Sequence, residues 1–237
     1  MLGKLFIVGV GPGDPGLVTV KAARVLGSVS HVFVPLSKKG RKKVALEIAQ
    51  EYIPADSVEV ELVFPMLRNK DEVQTKYREN FQKIMTVLRQ GHDAALITLG
   101  DPGTYSTAWP ILNLIQEHAP DIEMEVVPGI TSYAHAAARA AVRLVEGNET
   151  LSVVSANDSL ERIESVIGAS DTVVFLKTYK ERPRLIELLR KRALLNSCIY
   201  IRRCGLAEEE IVYNMEHLPE EVDYLSMIIL KSNDRSS

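Results

Sequence analysis

The sequence predicts an α/β fold in two parts, an N-terminal domain on a mostly parallel sheet and a C-terminal α+β domain on a mixed sheet. Three observations predict it. Short apolar runs alternate with helix-period segments through the first half, the pattern of parallel strands joined by crossover helices. After Pro120 and Asp121 the strand-like runs become denser, which suits a mixed sheet. The 237 residues, 46% apolar and 25% charged, are enough for one large or two modest globular domains. The boundary falls near 120 to 124, giving domains 1–122 and 123–237.

The elements follow in chain order. Residues 4–10 (K-L-F-I-V-G-V), 31–36 (H-V-F-V-P-L), 58–63 (V-E-V-E-L-V), 93–99 (D-A-A-L-I-T-L) and 123–127 (E-M-E-V-V) are short, apolar or alternating, and bounded by Gly, Pro or Asp, so they read as strands. Between them, 19–26, 43–52, 72–89 and 108–117 carry the three-and-four spacing of amphipathic helices. Beyond the boundary, strands are expected at 151–154, 172–176, 198–203, 210–213 and 225–230, with helices near 131–141, 159–167 and 182–193. The closing S-N-D-R-S-S reads as a loose tail.

Residues 7–16, I-V-G-V-G-P-G-D-P-G, place Gly11, Gly13 and Gly16 in the G-x-G-x-x-G spacing that lets a backbone approach a pyrophosphate. The chemistry between the glycines argues against that use. Pro12 and Pro15 have no N–H to donate, and Asp14 sets a negative charge where phosphate oxygens would sit. No acidic residue closes the second strand to hold a ribose, because His31–Leu36 runs into Ser37 and a basic loop.

This loop, L-G-D-P-G-T-Y-S-T at 99–107, V-P-G-I-T-S at 127–132 and Y-L-S-M-I-I-L at 224–230 together resemble the ordered motifs of the tetrapyrrole methylase family. The resemblance implies a two-domain fold with the active site in the cleft between the domains. It also implies S-adenosylmethionine as methyl donor, S-adenosylhomocysteine as its product, and a homodimer. It carries cofactor contacts onto Leu99, Gly100, Asp101, Thr104, Tyr105, Ser106 and Thr107, then Pro128, Thr131 and Ser132, then Leu176 and Lys177, and last Cys204 and Gly205. Read without the resemblance, Asp101 caps a helix starting near Tyr105, and Thr131 or Ser132 caps the alanine-rich helix that follows.

V-F-V-P-L-S-K-K-G at 32–40 and V-F-P-M at 63–66 are similar to the carbon-20 methylating branch, whose substrate is precorrin-2 or cobalt-factor II on the way to cobalamin. Substrate contacts are then implied at Gly11, Pro12, Gly13 and Asp14, and at Ser37, Lys38, Lys39, Arg41 and Arg68, since a polycarboxylate macrocycle suits a cationic loop. Asp14 and Tyr105 are the candidates for taking the proton that leaves the methylated carbon. Alternatives are another methylase of the corrin or sirohaem pathway, a nucleotide-dependent oxidoreductase using the 11–16 loop, or a non-catalytic tetrapyrrole carrier.

A net charge of −3 argues against a general nucleic-acid binder, although Lys38, Lys39, Arg41, Lys42 and Lys43 crowd one loop. No apolar run reaches membrane-spanning length, and the N-terminus enters a patterned strand without a cleavage-site signature, so a cytoplasmic protein without a membrane partner is expected. Cys198 and Cys204 stand six apart, which in one strand puts them on one face yet too far apart to bond, so they read as structural thiols. The five histidines show no metal-ligand spacing with cysteine or carboxylate partners, and no protein-bound metal is expected.

Overall fold

The computed structural model describes residues 1–36, 43–64 and 69–231, and the chain divides into two compact units, Met1–Ser132 and Tyr133–Ser237. In the first, the elements are β1 (Leu5–Gly9), α1 (Val20–Leu26), β2 (His31–Leu36), α2 (Val44–Ala49), β3 (Val58–Val63), α3 (Lys70–Arg89), β4 (Ala94–Thr98), α4 (Trp109–His118) and β5 (Met124–Val127). All four strand pairings are parallel, in the order β3-β2-β4-β1-β5. β5 joins this unit because Leu5–Val8 pair along Met124–Val127. The expected helix over 43–52 is shorter: α2 tightens into a 3-10 turn at Gln50–Tyr52.

Period-two alternation explains why this sheet is covered on both faces. Leu5, Ile7 and Leu96 point into a core with Ile84 and Leu88 of α3 and Ile111 and Ile115 of α4. Val8, Val10, Ala95 and Ile97 point the other way, against Ala22 and Leu26 of α1 and Ile48 of α2. These side chains are essentially fully buried, worth about 1.5–3 kcal/mol each for the larger ones. Helix starts are fixed locally: Thr19 accepts from the Ala22 N–H at 3.1 Å and Asn69 from the Asp71 N–H at 3.0 Å.

The second unit contains α5 (Ser132–Arg139, which begins at the division), β6 (Leu151–Ser155), α6 (Leu160–Ala169), β7 (Thr172–Leu176), α7 (Arg182–Lys191), β8 (Cys198–Arg202), β9 (Glu210–Val212) and β10 (Ser226–Lys231). Its sheet, β6-β7-β10-β8-β9, is mixed: β6 and β7 run parallel, and β10 runs antiparallel to both β7 and β8. One face packs Phe175, Tyr200 and Ile228 against α6 and α7; the other packs Val174, Ile201 and Ile229 against Ala136 and Ala137 of α5.

The two cysteines do not share a face. Cys198 lies in the α6/α7 core and Cys204 in the α5 core, because β8 ends at Arg202 and Arg203 turns left-handed (φ 51°), reversing the alternation. Both thiols are free, and burial pushes both up to about 12. No helix among the described residues is long and apolar enough to cross a membrane.

Candidate active site

The topology of the first unit brings three glycine turns to one place. The chain leaving β1 heads for β2 beyond β4, while the chain leaving β4 heads for β5 beyond β1, so the two departures cross at the carboxyl edge of the sheet. They meet as an antiparallel bridge: the Gly100 N–H donates to Gly11 O at 2.7 Å and the Gly11 N–H to Gly100 O at 3.2 Å. Both glycines take left-handed backbone (φ 71° and 79°), which a side chain would strain. Gly129, after β5, presses against the same backbones. A methyl group there would strike the Gly100 carbonyl oxygen and come within 2.9 Å of the Gly9 carbonyl carbon. The carboxyl edge of an open parallel sheet is where such folds place ligands.

Asp101 holds this junction together. The Gly103 N–H donates to its Oδ1 at 2.8 Å and the Gly129 N–H to its Oδ2 at 3.0 Å, so one carboxylate closes its own turn and joins it to the turn after β5. It does not cap a helix. α4 begins at Trp109, with Ala108 at the cap position and no side-chain cap bond. Ser106 does the local work instead, accepting from the Ala108 N–H and sharing a hydrogen bond with Thr98, both at 3.1 Å, while the Trp109 indole donates to Pro102 O at 2.8 Å. Tyr105 takes φ 50° and stays about half exposed, a strained conformation of the kind that gathers at functional sites.

Asp14 caps a 3-10 turn at Pro15–Leu17, accepting from the Gly16 N–H at 2.8 Å, and is exposed. Pro12 and Gly13 lie buried beside it in the turn after Gly11. Thr131 directly precedes α5, and Ser132 is its first residue. Ser37, Lys38, Lys39, Arg41 and Arg68 lie outside the described residues. Lys43, at the edge of the basic run, spends its charge on Glu59 (3.3 Å) and Glu61 (3.1 Å) of β3, which raises its pKa through those carboxylates.

In the second unit, Leu176 ends β7 and Lys177 follows it with φ 60°, the turn being pinned by a buried Thr178–Ser226 hydrogen bond of 2.8 Å. Cys204 and Gly205 follow β8, again just past a left-handed residue. Here the structure adds residues that local spacing missed. Glu209 accepts from the Gly205 N–H at 2.7 Å and from the Arg139 Nε–H at 2.8 Å, with the Arg139 guanidinium holding its carboxyl below the usual range. His135, one turn before Arg139 on α5, completes a group in which potential ligand atoms of His135, Cys204 and Glu209 lie within 4.8 Å of one another. Helix α5 and the β8–β9 connection supply it, 69 residues apart at their nearest ligands, so sequence spacing does not signal the three together.

The sequence model of the tetrapyrrole (corrin/porphyrin) methylases matches residues 4–219. The chain belongs to this family. Among its relatives, it is 36% identical over 231 residues to the probable cobalt-precorrin-2 C(20)-methyltransferase of Methanocaldococcus jannaschii, covering 96% of each chain. It is 31% identical over 233 residues to the cobalt-precorrin-2 C(20)-methyltransferase of Salmonella typhimurium, covering 97% of each. In fold, this tetrapyrrole methylase is similar to the uroporphyrin-III C-methyltransferase of Thermus thermophilus complexed with S-adenosylhomocysteine, with a TM-score of 0.70, 20% identity, and coverage of 96% and 97%.

Proposed function

We infer that this chain is an S-adenosylmethionine-dependent C-methyltransferase that methylates carbon 20 of precorrin-2 or cobalt-factor II in cobalamin biosynthesis. The observation that carries this reading is the similarity, over nearly the whole chain, to two C(20)-methyltransferases. Cobalt, where present, is cargo of the macrocycle.

The donor set suits the cofactor. Asp101 is a carboxylate for an ammonium or ribose hydroxyls, Thr104, Ser106, Thr107, Thr131 and Ser132 add hydroxyls, and glycine backbone at Gly100 permits close approach. When bound, S-adenosylmethionine supplies an electrophilic methyl group on sulfur. The proposed cofactor contacts are Leu99–Asp101, Thr104–Thr107, Pro128, Thr131, Ser132, Leu176, Lys177, Cys204 and Gly205. Gly11–Asp14, Ser37, Lys38, Lys39, Arg41 and Arg68 hold the substrate, the cations pairing with its carboxylate arms. A reduced tetrapyrrole already carries an electron-rich meso carbon, so the protein's task is to align it and exclude water, worth up to about 7–11 kcal/mol in well-oriented systems. Asp14, with Tyr105 as the second candidate, takes the proton released from that carbon.

The protein works as a cytoplasmic homodimer, which sedimentation velocity and cell fractionation test. Calorimetry tests the cofactor: S-adenosylhomocysteine should bind at micromolar affinity or tighter, about −8 kcal/mol. NAD binding at that strength, with no binding of the adenosyl ligand, would sink the assignment.

A further inference from the structure

We propose that His135, Cys204 and Glu209 form a binding site for one divalent, borderline-soft cation, zinc or cobalt(II), separate from any metal carried by the macrocycle. The argument begins with geometry. The three residues come from α5, from the turn after β8 and from the residue before β9, and their ligand atoms lie within 4.8 Å of one another. A four-coordinate ion with bonds of about 2.0–2.3 Å holds its ligands about 3.3–3.8 Å apart, so the group must contract by about 1 Å.

The chemistry of the set is selective. A thiolate, an imidazole and a carboxylate together suit zinc or cobalt(II) and disfavour magnesium or calcium, which want oxygen ligands alone. Three protein ligands leave the fourth position open. Cys204 is buried and Glu209 nearly so, with a side chain 16% exposed, which shields the site from competing water.

The carboxylate is already oriented as a ligand. Arg139 holds Oε1 of Glu209 through two nitrogens, at 2.8 and 2.7 Å, while Oε2 accepts from the Gly205 N–H at 2.7 Å. Such outer partners fix ligating carboxylates in metal sites generally. The Cys204 sulfur lies within 4.8 Å of the same carboxylate. Binding exchanges one proton for one cation: the thiol proton leaves to solvent, the sulfur, a ring nitrogen of His135 and Glu209 Oε2 bond the metal, and Arg139 remains on Oε1. Because His135 and Arg139 are one helical turn apart, a single face of α5 supplies both a ligand and the residue that orients another.

Titration of the chelator-treated full chain with Co2+ under a non-thiol reductant tests the site. One equivalent should produce a thiolate-to-cobalt charge-transfer band and intense four-coordinate visible bands, and Zn2+ should abolish both. Cys204→Ser should lose the charge-transfer band, His135→Ala and Glu209→Gln should weaken binding at least about tenfold, and Cys198→Ser should leave the spectrum unchanged. A wild-type chain that gives no charge-transfer band, or a band that survives Cys204→Ser or vanishes in Cys198→Ser, overturns the proposal. Should the Cys204 variant not fold, X-ray absorption of the zinc-loaded wild type decides instead. One sulfur at about 2.3 Å with nitrogen and oxygen neighbours near 2.0–2.1 Å supports the site, and a shell without sulfur overturns it.

Discussion

Replacing Asp101 tests the junction of the three turns and the proposed cofactor contact at once. Asp101→Ala removes two hydrogen bonds from backbone N–H groups to a carboxylate, a class worth about 1.5–3 kcal/mol each when fully counted. The two do not weigh equally. Gly103 is exposed, so water replaces its partner, whereas the Gly129 bond joins turns 28 residues apart and has no local substitute. The expected loss is therefore about 2 kcal/mol, or about 4–8 °C in Tm for a chain of this size. Asp101→Asn keeps one acceptor but must turn an amide N–H toward the other backbone N–H, so about half that loss is expected. If the proposed cofactor pairs with that charge, S-adenosylhomocysteine affinity should fall about tenfold to 150-fold in the Ala variant, and in the Asn variant by more than its small loss of stability suggests. Differential scanning calorimetry and isothermal titration measure the two effects. An Ala variant that melts within about a degree of wild type refutes the junction role. One that melts lower but binds the ligand undiminished refutes the cofactor role.

Gly129→Ala should be far more damaging than an ordinary surface change, because its methyl group meets the Gly100 and Gly9 backbones rather than a movable side chain, and soluble yield with urea unfolding measures the loss. Neutralising Lys38, Lys39 and Arg41 together should raise the substrate KM and flatten its salt dependence while leaving cofactor affinity nearly unchanged; steady-state assays across ionic strength check this. The buried thiols predict an alkaline limb. Cys198 and Cys204 are raised to about 12 in the folded chain, so the unfolded chain loses protons first and stability should fall from about pH 9 towards 12, by up to about 1.4 kcal/mol per pH unit per thiol; urea unfolding of Cys198→Ala across that range should show a shallower slope. At the acid end, Glu125 is lowered to about 2 by Lys21 and Lys4, so its contribution is complete above about pH 4.5 and lost as pH falls towards 2, and Glu125→Gln should flatten that limb.

Much of the architecture is legible because it rests on local pattern. Alternating runs such as Leu5–Gly9 and Ala94–Thr98 announce strands whose two faces both meet helices, and each of the ten strands among the described residues starts within a residue or so of its expected position. The motif turns are legible for the same reason, since Gly11, Gly100 and Gly129 stand where backbone conformation or contact tolerates no side chain. Asp101 shows the limit. Its sequence context offers a helix cap, but its second partner is Gly129, contributed by another strand's exit. Counting puts Cys198 and Cys204 on one face, whereas one left-handed residue, Arg203, breaks the parity that counting assumes. His135, Cys204 and Glu209 lay beyond reach because only the packing of α5 against the β8 side of the sheet gathers them.

The central claim is tested most directly by incubating the purified chain with S-adenosylmethionine and, separately, precorrin-2 and cobalt-factor II, then analysing the product by mass spectrometry and carbon NMR with a labelled methyl donor. One methyl group, placed on carbon 20 of at least one of the two macrocycles, is the expected result. Transfer to another carbon, or no transfer by a folded chain that binds the cofactor, would contradict it.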